Sequence, residues 1–216
     1  MPRSTSIVSL SPSGSIVTMA HIGQVIENPL SGERIVFRQT AAHTGGRLLA
    51  FDLYLAPGGR VPSSHAHPEQ EERFTVVKGR MRFRVAGRTV IARAGDTTVV
   101  PPGTVHAFSN PGVDPAHVRV EVRPALHMED LLETATALAR DGRTLPNHMP
   151  RPLDLVLFLS EFRQEVRPPI VPAALMQALV EPLAWLVRRL GRDAAYRAVR
   201  QRLRGSTSRP VNGEVA

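Results

Sequence analysis

Two short stretches of the chain hold side chains whose types and spacing could bind a metal ion. The first contains His65, His67 and Glu72, and the second contains His106. Side chains alternate between the two faces of a strand, so histidines two residues apart direct both imidazoles to one side. Pro68 breaks that strand, and we therefore expect Glu72 to begin the next strand and to face the histidines. Together the stretches offer three imidazole nitrogens and one carboxylate, which suits one metal ion.

A set of three imidazoles and one carboxylate is intermediate between hard oxygen-only ligand sets and soft thiolate sets. It accepts Fe(II), Mn(II), Ni(II), Co(II), Zn(II) or Cu(II), and the sequence does not choose among these divalent transition metals. Four protein ligands leave two positions of a six-coordinate metal open for water, a bidentate substrate or dioxygen. The plainer alternative is that the histidines only fill a protein core. Burial of three histidines and a glutamate without a metal is costly, which favours metal binding.

The spacing within both stretches resembles the two sequence motifs of the cupin superfamily. The first motif reads glycine, five residues, His-x-His, three or four residues, glutamate, six residues, glycine. The second reads glycine, five residues, Pro-x-Gly, two residues, histidine, three residues, asparagine. The matching positions are Gly59, His65, His67, Glu72 and Gly79 for the first motif, and Gly95, Pro101, Gly103, His106 and Asn110 for the second.

The resemblance covers about residues 30–124 and implies a small jelly-roll barrel with a metal ion in its mouth. By position, it implies that the metal ligands are His65, His67, Glu72 and His106. The superfamily hosts many chemistries, dioxygenase and isomerase activities among them, so the fold does not define the reaction. The first hypothesis is a metal-dependent enzyme acting on a small organic molecule. The alternatives are a small-ligand binding or sensing module without turnover, and a membrane-peripheral protein with a structural metal.

The composition of the chain limits its location and its partners. The 216 residues include no cysteine, which excludes disulfides and thiolate ligands and fits a cytoplasmic protein. The formal net charge of +8 permits attraction to anionic substrates, nucleic acid or membranes but identifies none of them. We expect a small-molecule ligand, and a homodimer is left open. Nucleic-acid binding is not expected, because no helix-turn-helix is evident and the basic end of the chain lacks interleaved aromatics.

The elements that must position the histidines are short strands. Apolar and polar residues alternate in 49–55, 80–85 and 118–122, and Gly and Pro separate such segments. Many short strands at this spacing predict a mainly β fold, closed or sandwiched. The expected architecture is a cupin-type jelly-roll barrel with a C-terminal α-helical extension. Its expected parts are a disordered tail (1–20), the barrel (21–124), the extension (125–204) and a second disordered tail (205–216).

The pattern becomes helical after Pro124. Helices are predicted at 128–140, 153–166, 171–190 and 193–204, and Pro182 is expected to kink or split the third of them. The apolar faces of Leu153–Phe162 and Leu175–Leu186 are expected to pack against the barrel or a second subunit. A membrane surface contacted through 171–204 is the alternative, because seven arginines follow the apolar segment before residue 205.

Overall fold

The computed structural model describes residues 20–61, 63–169 and 173–206. The predicted disorder of the N-terminal tail concerns residues that lie almost wholly outside these ranges, and so does most of the predicted C-terminal tail. The last helix continues to Ser206.

Strands make up the first part of the described chain, and they form two antiparallel sheets. The strands are β1 (Val25–Asn28), β2 (Glu33–Gln39), β3 (Leu49–Leu55), β4 (Glu71–Lys78), β5 (Arg80–Val85), β6 (Arg88–Arg93), β7 (Thr97–Val100), β8 (His106–Ser109) and β9 (Ala116–Arg123). The larger sheet has the order β1-β2-β3-β9-β4-β7, and the smaller has the order β6-β5-β8. A single helical turn, α1 (Ala41–Thr44), connects β2 and β3.

The core lies between the two sheets. Alternation along each strand directs one set of side chains inward, and the ring of Phe74 on β4 lies 5.1 Å from that of Phe83 on β5. Both rings are almost completely buried, as are Leu53 and Val120 on the larger sheet. The predicted mainly β region is confirmed. The described strands form two facing sheets, the sandwiched form of the expected jelly roll, and they do not close into one barrel.

Four helices follow the strands in the described chain. They are α2 (Met128–Arg140), α3 (Pro152–Glu161), α4 (Ala173–Arg189) and α5 (Ala194–Ser206). Helix α2 has the predicted bounds. Helix α3 ends five residues earlier than predicted, because the chain turns after Glu161 and then pairs with a strand segment at Arg167. Helix α4 continues through Pro182, so a split there is wrong; proline fixes a helix-compatible φ and removes only one backbone donor.

The two apolar segments of the extension differ in burial. Leu157 and Phe158 of α3 are buried, as predicted. In α4 the side chains of Met176, Ala184 and Val187 are buried, whereas the five large apolar side chains on its other sides are exposed, namely Leu175, Leu179, Leu183, Trp185 and Leu186. Within the described chain the outer side of α4 is therefore not covered by the rest of the protein, and its packing against a second subunit stays a prediction. Among the described residues, no helix combines the length and the hydropathy needed to span a bilayer.

Candidate metal centre

The four predicted ligands lie on one strand of each sheet and in the segment that connects β3 to β4, which carries His65 and His67. Glu72 lies on β4, paired with Val100 of β7 and Val122 of β9 in the larger sheet. His106 is the first residue of β8 in the smaller sheet. The main chains of His65 and His106 exchange two hydrogen bonds, of 3.0 and 2.8 Å, across an isolated antiparallel bridge. The cluster therefore forms only when the two sheets are packed together.

The three imidazole rings converge. Their centroids are 4.9 Å apart for His65 and His67, 4.5 Å for His65 and His106, and 5.2 Å for His67 and His106. One nitrogen from each ring lies within 4.8 Å of the other two. The Glu72 carboxylate joins them, with Oε2 lying 2.9 Å from Nε2 of His106 and 3.2 Å from Nε2 of His67. The structure thus brings all four predicted side chains to one place.

Backbone carbonyls determine which nitrogen of each imidazole faces the cluster. The Nδ1 atom of His65 lies 3.1 Å from the carbonyl oxygen of Ser63, and that of His106 lies 3.1 Å from the oxygen of Thr104. The Nδ1 atom of His67 lies 2.5 Å from the carbonyl oxygen of Glu165. A carbonyl only accepts hydrogen bonds, so each Nδ1 carries the proton. Each Nε2 is then the nitrogen with a free lone pair.

This arrangement places unpaired acceptors against one another. Nε2 of His67, Nε2 of His106 and Oε2 of Glu72 are buried and have no hydrogen-bond partner among the described residues. Acceptors about 3 Å apart repel each other unless a cation, either a proton or a metal ion, lies between them. Ligands at about 2.0–2.2 Å from one ion and at right angles to each other are also about 3 Å apart. The donor set and its spacing therefore fit a divalent metal ion.

A comparison with known families agrees with the motifs and the fold. The family model described as the Cupin domain matches residues 51–122, a range that includes Glu72 and His106 together with both other histidines of the cluster. Residues 51–122 belong to the cupin superfamily. No curated protein matches the sequence significantly.

Several solved structures resemble part of the chain. KdgF from Halomonas sp. is 19% identical with a TM-score of 0.41, covering 46% of this chain and 84% of that one. An RmlC-like cupin from Shewanella frigidimarina is 22% identical with a TM-score of 0.42, covering 51% and 94%. A predicted oxalate decarboxylase from Thermotoga maritima is 20% identical with a TM-score of 0.42, covering 55% and 98%.

Other cupin motif positions in this chain have structural roles. Gly79 has a φ of +85°, and a Cβ added there would lie 3.0 Å from the Cα of Ala116, so a side chain would be strained and crowded. A Cβ at Gly59 would lie 2.8 Å from a backbone oxygen. The Asn110 side-chain amide donates to the carbonyls of Leu55 and Asp114, at 2.9 and 2.8 Å, and so secures the turn after β8. These residues fix turns and close backbone contacts and take no part in the cluster itself.

The helical extension reaches the cupin site through the loop after α3, residues 163–167. Ala66, between the first two histidines, exchanges two backbone hydrogen bonds of 2.9 Å with Arg167. The carboxylate of Glu165 accepts a hydrogen bond of 3.1 Å from the backbone N–H of His127, just before α2. Glu165 is almost fully buried. Sequence reasoning missed this residue, because it acts on His67 through its backbone carbonyl, which every residue type possesses.

The electrostatics of the cluster favour an ionised carboxylate beside imidazoles. Burial raises the pKa of Glu72, but the imidazoles of His67 and His106 outweigh burial and hold that pKa well below its usual range. Burial, followed by the charges of His67 and His106, lowers the pKa of His65 to about 3. Burial also lowers the pKa of His67, but the Glu72 carboxylate outweighs it and raises that pKa. A proton and a metal ion therefore compete for the Nε2 atom of His67.

The inner wall beside the cluster is apolar. The ring of Phe74 lies 6.4 Å from that of His106 and 5.5 Å from that of Phe108. Met81 and Phe83 are fully buried. Glu71, adjacent to Glu72 on β4, has a side chain that is 39% exposed and pairs with Arg73, so the two neighbouring carboxylates lie on opposite faces of the strand.

Proposed function

We propose that this cupin binds one divalent transition-metal ion through His65, His67, Glu72 and His106 and uses it in an enzymatic reaction on a small organic molecule. The observation that supports this proposal is the set of three imidazoles whose Nδ1 atoms are all committed to carbonyls, with a buried carboxylate between two of the free nitrogens. A purely structural cluster has no need to direct every free lone pair to one point.

The chain's own residues would contribute charge balance, orientation and exclusion of water. Glu72 neutralises one of the two charges of a divalent ion, so the complex retains a positive charge that favours an anionic or polarised oxygen ligand. His67 and His106 are buried and His65 is only partly buried, so a small molecule would approach beside His65. The apolar wall around Phe74 would keep water from the far side.

A bound ion would supply Lewis acidity toward oxygen atoms of the substrate, and iron would add oxygen chemistry of the dioxygenase type. Isomerase chemistry would need only the Lewis acidity. The metal identity, among Fe, Mn, Ni, Co, Zn and Cu, is therefore what separates the two reaction types. The small-molecule ligand, the homodimer and the cytoplasmic location stay predictions.

The second candidate is a protein without turnover, in which the metal only ties the fold together. It is favoured by the pairing of Ala66 with Arg167, because the segment that carries two ligands is also bonded to the helical extension. A metal there would stabilise the contact between the two parts of the chain.

The experiment begins with the metal content of protein purified without chelators, measured by plasma mass spectrometry. Iron-loaded protein is then tested for substrate-dependent oxygen uptake, and manganese- or zinc-loaded protein for isomerisation of small hydroxycarbonyl compounds. Turnover that disappears in His106→Ala and persists in the exposed control His21→Ala supports the enzyme. Stoichiometric metal with no turnover across such panels favours the structural role. Wild-type protein that takes up no divalent metal rejects both.

A further inference from the structure

The outer side of α4 is apolar and uncovered. Met176, Ala184 and Val187 face the protein. The four leucines and the tryptophan of the helix, together with the leucine that directly follows it, have exposed fractions of 44–63%. We call these six side chains the α4 outer face: Leu175, Leu179, Leu183, Trp185, Leu186 and Leu190. A soluble monomer rarely exposes such a contiguous set, which usually marks a surface that meets a partner.

The width of the α4 outer face argues against a single partner helix. Successive residues of a helix lie about 100° apart, so Leu183 and Trp185 are about 160° apart around the axis, with the other four leucines between them. Two helices that pair along a leucine seam cover a narrower stripe than this. A broad apolar medium can cover the whole arc. Arg189 also lies within the arc, and its long side chain can extend its charge out of an apolar layer.

The charge around the α4 outer face is strongly positive. Residues 161–206 contain nine arginines and four acids, which leaves +5 of the chain's formal +8 in this segment. Three of the four acids face arginines of the same segment: Glu161 lies 2.8 Å from Arg200, Glu181 lies 3.7 Å from Arg163, and Asp193 lies 3.2 Å from Arg197. Three further arginines at the C-terminal end of α4 are exposed, namely Arg188, Arg189 and Arg192.

We propose that α4 docks on an anionic phospholipid surface. The leucines and Trp185 enter the boundary between headgroups and acyl chains, while Arg188, Arg189 and Arg192 contact the headgroup phosphates. Charge complementarity favours this partner over a second copy of the chain, because a second copy would bring the same positive segment to the contact. The proposal is independent of any reaction at the metal centre.

Trp185 makes the proposal directly measurable, because it is the chain's one tryptophan. The full chain is titrated with vesicles of phosphatidylcholine alone and of phosphatidylcholine mixed with phosphatidylserine. With the anionic vesicles we expect a blue shift of tryptophan emission, protection from an aqueous quencher, and sedimentation of the protein with lipid. Because salt screens the arginines, added salt should weaken this binding. Phosphatidylcholine alone should have little effect.

Variants test the apolar and the charged parts separately. Changing Leu179 and Leu183 together to Gln should weaken vesicle binding at least about tenfold, because two half-exposed leucines no longer leave water. Leu145→Gln, at a comparably exposed leucine between α2 and α3, is the control. Arg189→Gln should weaken binding about fivefold. Arg84→Gln, at an exposed arginine of β5, is its control. Circular dichroism and the melting temperature establish that each variant is folded.

Three outcomes would overturn the proposal. The first is a monomer whose Trp185 emission and sedimentation ignore anionic vesicles. The second is equal binding to both kinds of vesicle, which would remove the role of charge. The third is a lipid-independent blue shift that grows with protein concentration, accompanied by a dimer mass in light scattering that the double leucine variant abolishes. That last result would assign the α4 outer face to a contact between two copies of the chain.

Discussion

Two regions of the molecule orient the imidazoles of the metal centre, and they do so over very different distances along the chain. His65 and His106 each bond to a carbonyl two residues earlier. His67 bonds to a carbonyl 98 residues later, in the loop that follows α3. Two ligands are therefore oriented within the cupin motifs, whereas the third depends on the extension. The comparison implies that metal affinity and docking of the extension are coupled.

The largest expected effect is that of His106→Ala, which removes a ligand that the motif itself orients. Metal affinity should fall by more than the roughly 10–100-fold typical of losing an outer hydrogen-bond partner, and the stabilisation by metal should be lost. Competition with a chromogenic chelator and melting curves with and without metal measure both. The exposed His21→Ala is the control. Equal metal stoichiometry in the wild type and His106→Ala would show that His106 is not a ligand.

The pH dependence of stability tests the contact between α2 of the extension and α1, which connects β2 to β3. Glu129 of α2 accepts a hydrogen bond of 2.6 Å from the backbone N–H of Ala41. Burial, and then the charges of Glu133 and Asp130, raise the pKa of Glu129 to about 7, although the Ala41 bond opposes them. The folded state thus holds this proton more tightly than the unfolded state, so the stability due to Glu129 is complete below about pH 4.5 and declines as pH rises to about 7.

Glu129→Gln isolates this contribution, because the amide cannot ionise. Between about pH 4.5 and 7, the unfolding free energy of the wild type should decline relative to the variant by up to about 3 kcal/mol. Urea unfolding of metal-free proteins at several pH values measures the difference. Parallel pH profiles for the two proteins would mean that Glu129 does not titrate in this range.

The hydrogen bond from the backbone N–H of His127 to the Glu165 carboxylate holds the 163–167 loop against the start of α2. Glu165→Ala leaves the backbone N–H of His127 without its acceptor, which should lower the unfolding free energy by about 2 kcal/mol. Glu165→Gln keeps an acceptor oxygen and is the matched variant, expected to lose much less. Urea unfolding compares the three proteins. Identical losses for Ala and Gln would show that the carboxylate, and not the hydrogen bond, is what matters.

The smallest expected effect is that of breaking the main-chain bridge between Arg167 and Ala66, and it tests most directly whether the extension orients His67. Arg167→Pro deletes the N–H that bonds to the Ala66 carbonyl, whereas Arg167→Ala keeps the main-chain bridge and removes only the side chain. The proline variant should bind metal about tenfold more weakly, because the carbonyl that orients His67 is less firmly held. Chelator competition on both variants is the measurement. If the alanine variant weakens binding as much as the proline variant, the main-chain bridge is not responsible.

Much of the site could be predicted from sequence because most of its ligands lie at short, fixed spacings within two motifs. The two-residue spacing of His65 and His67 predicted that their imidazoles lie on one side of an extended segment. Pro68 predicted an interruption before the strand that carries Glu72, and β4 begins at Glu71. The carbonyl that bonds to His67 has no such sequence signal, because every residue has a carbonyl and this one belongs to a residue 98 positions away. Helix α4 is apolar on several sides, so its periodicity did not reveal which side would meet protein. The separation of the strands into two sheets likewise depends on pairing between distant segments, such as β3 with β9.

The pairing of Ala66 with Arg167 also sets an order of events during synthesis. A chain emerging from its N-terminus presents both cupin motifs before residues 163–167 are available for this pairing. At that point His65 and His106 already have their orienting carbonyls, but His67 does not. The proposed metal site would therefore be complete only after residues 163–167 have folded back onto Ala66. Metal loading is thus expected to be a late step in the maturation of this cupin.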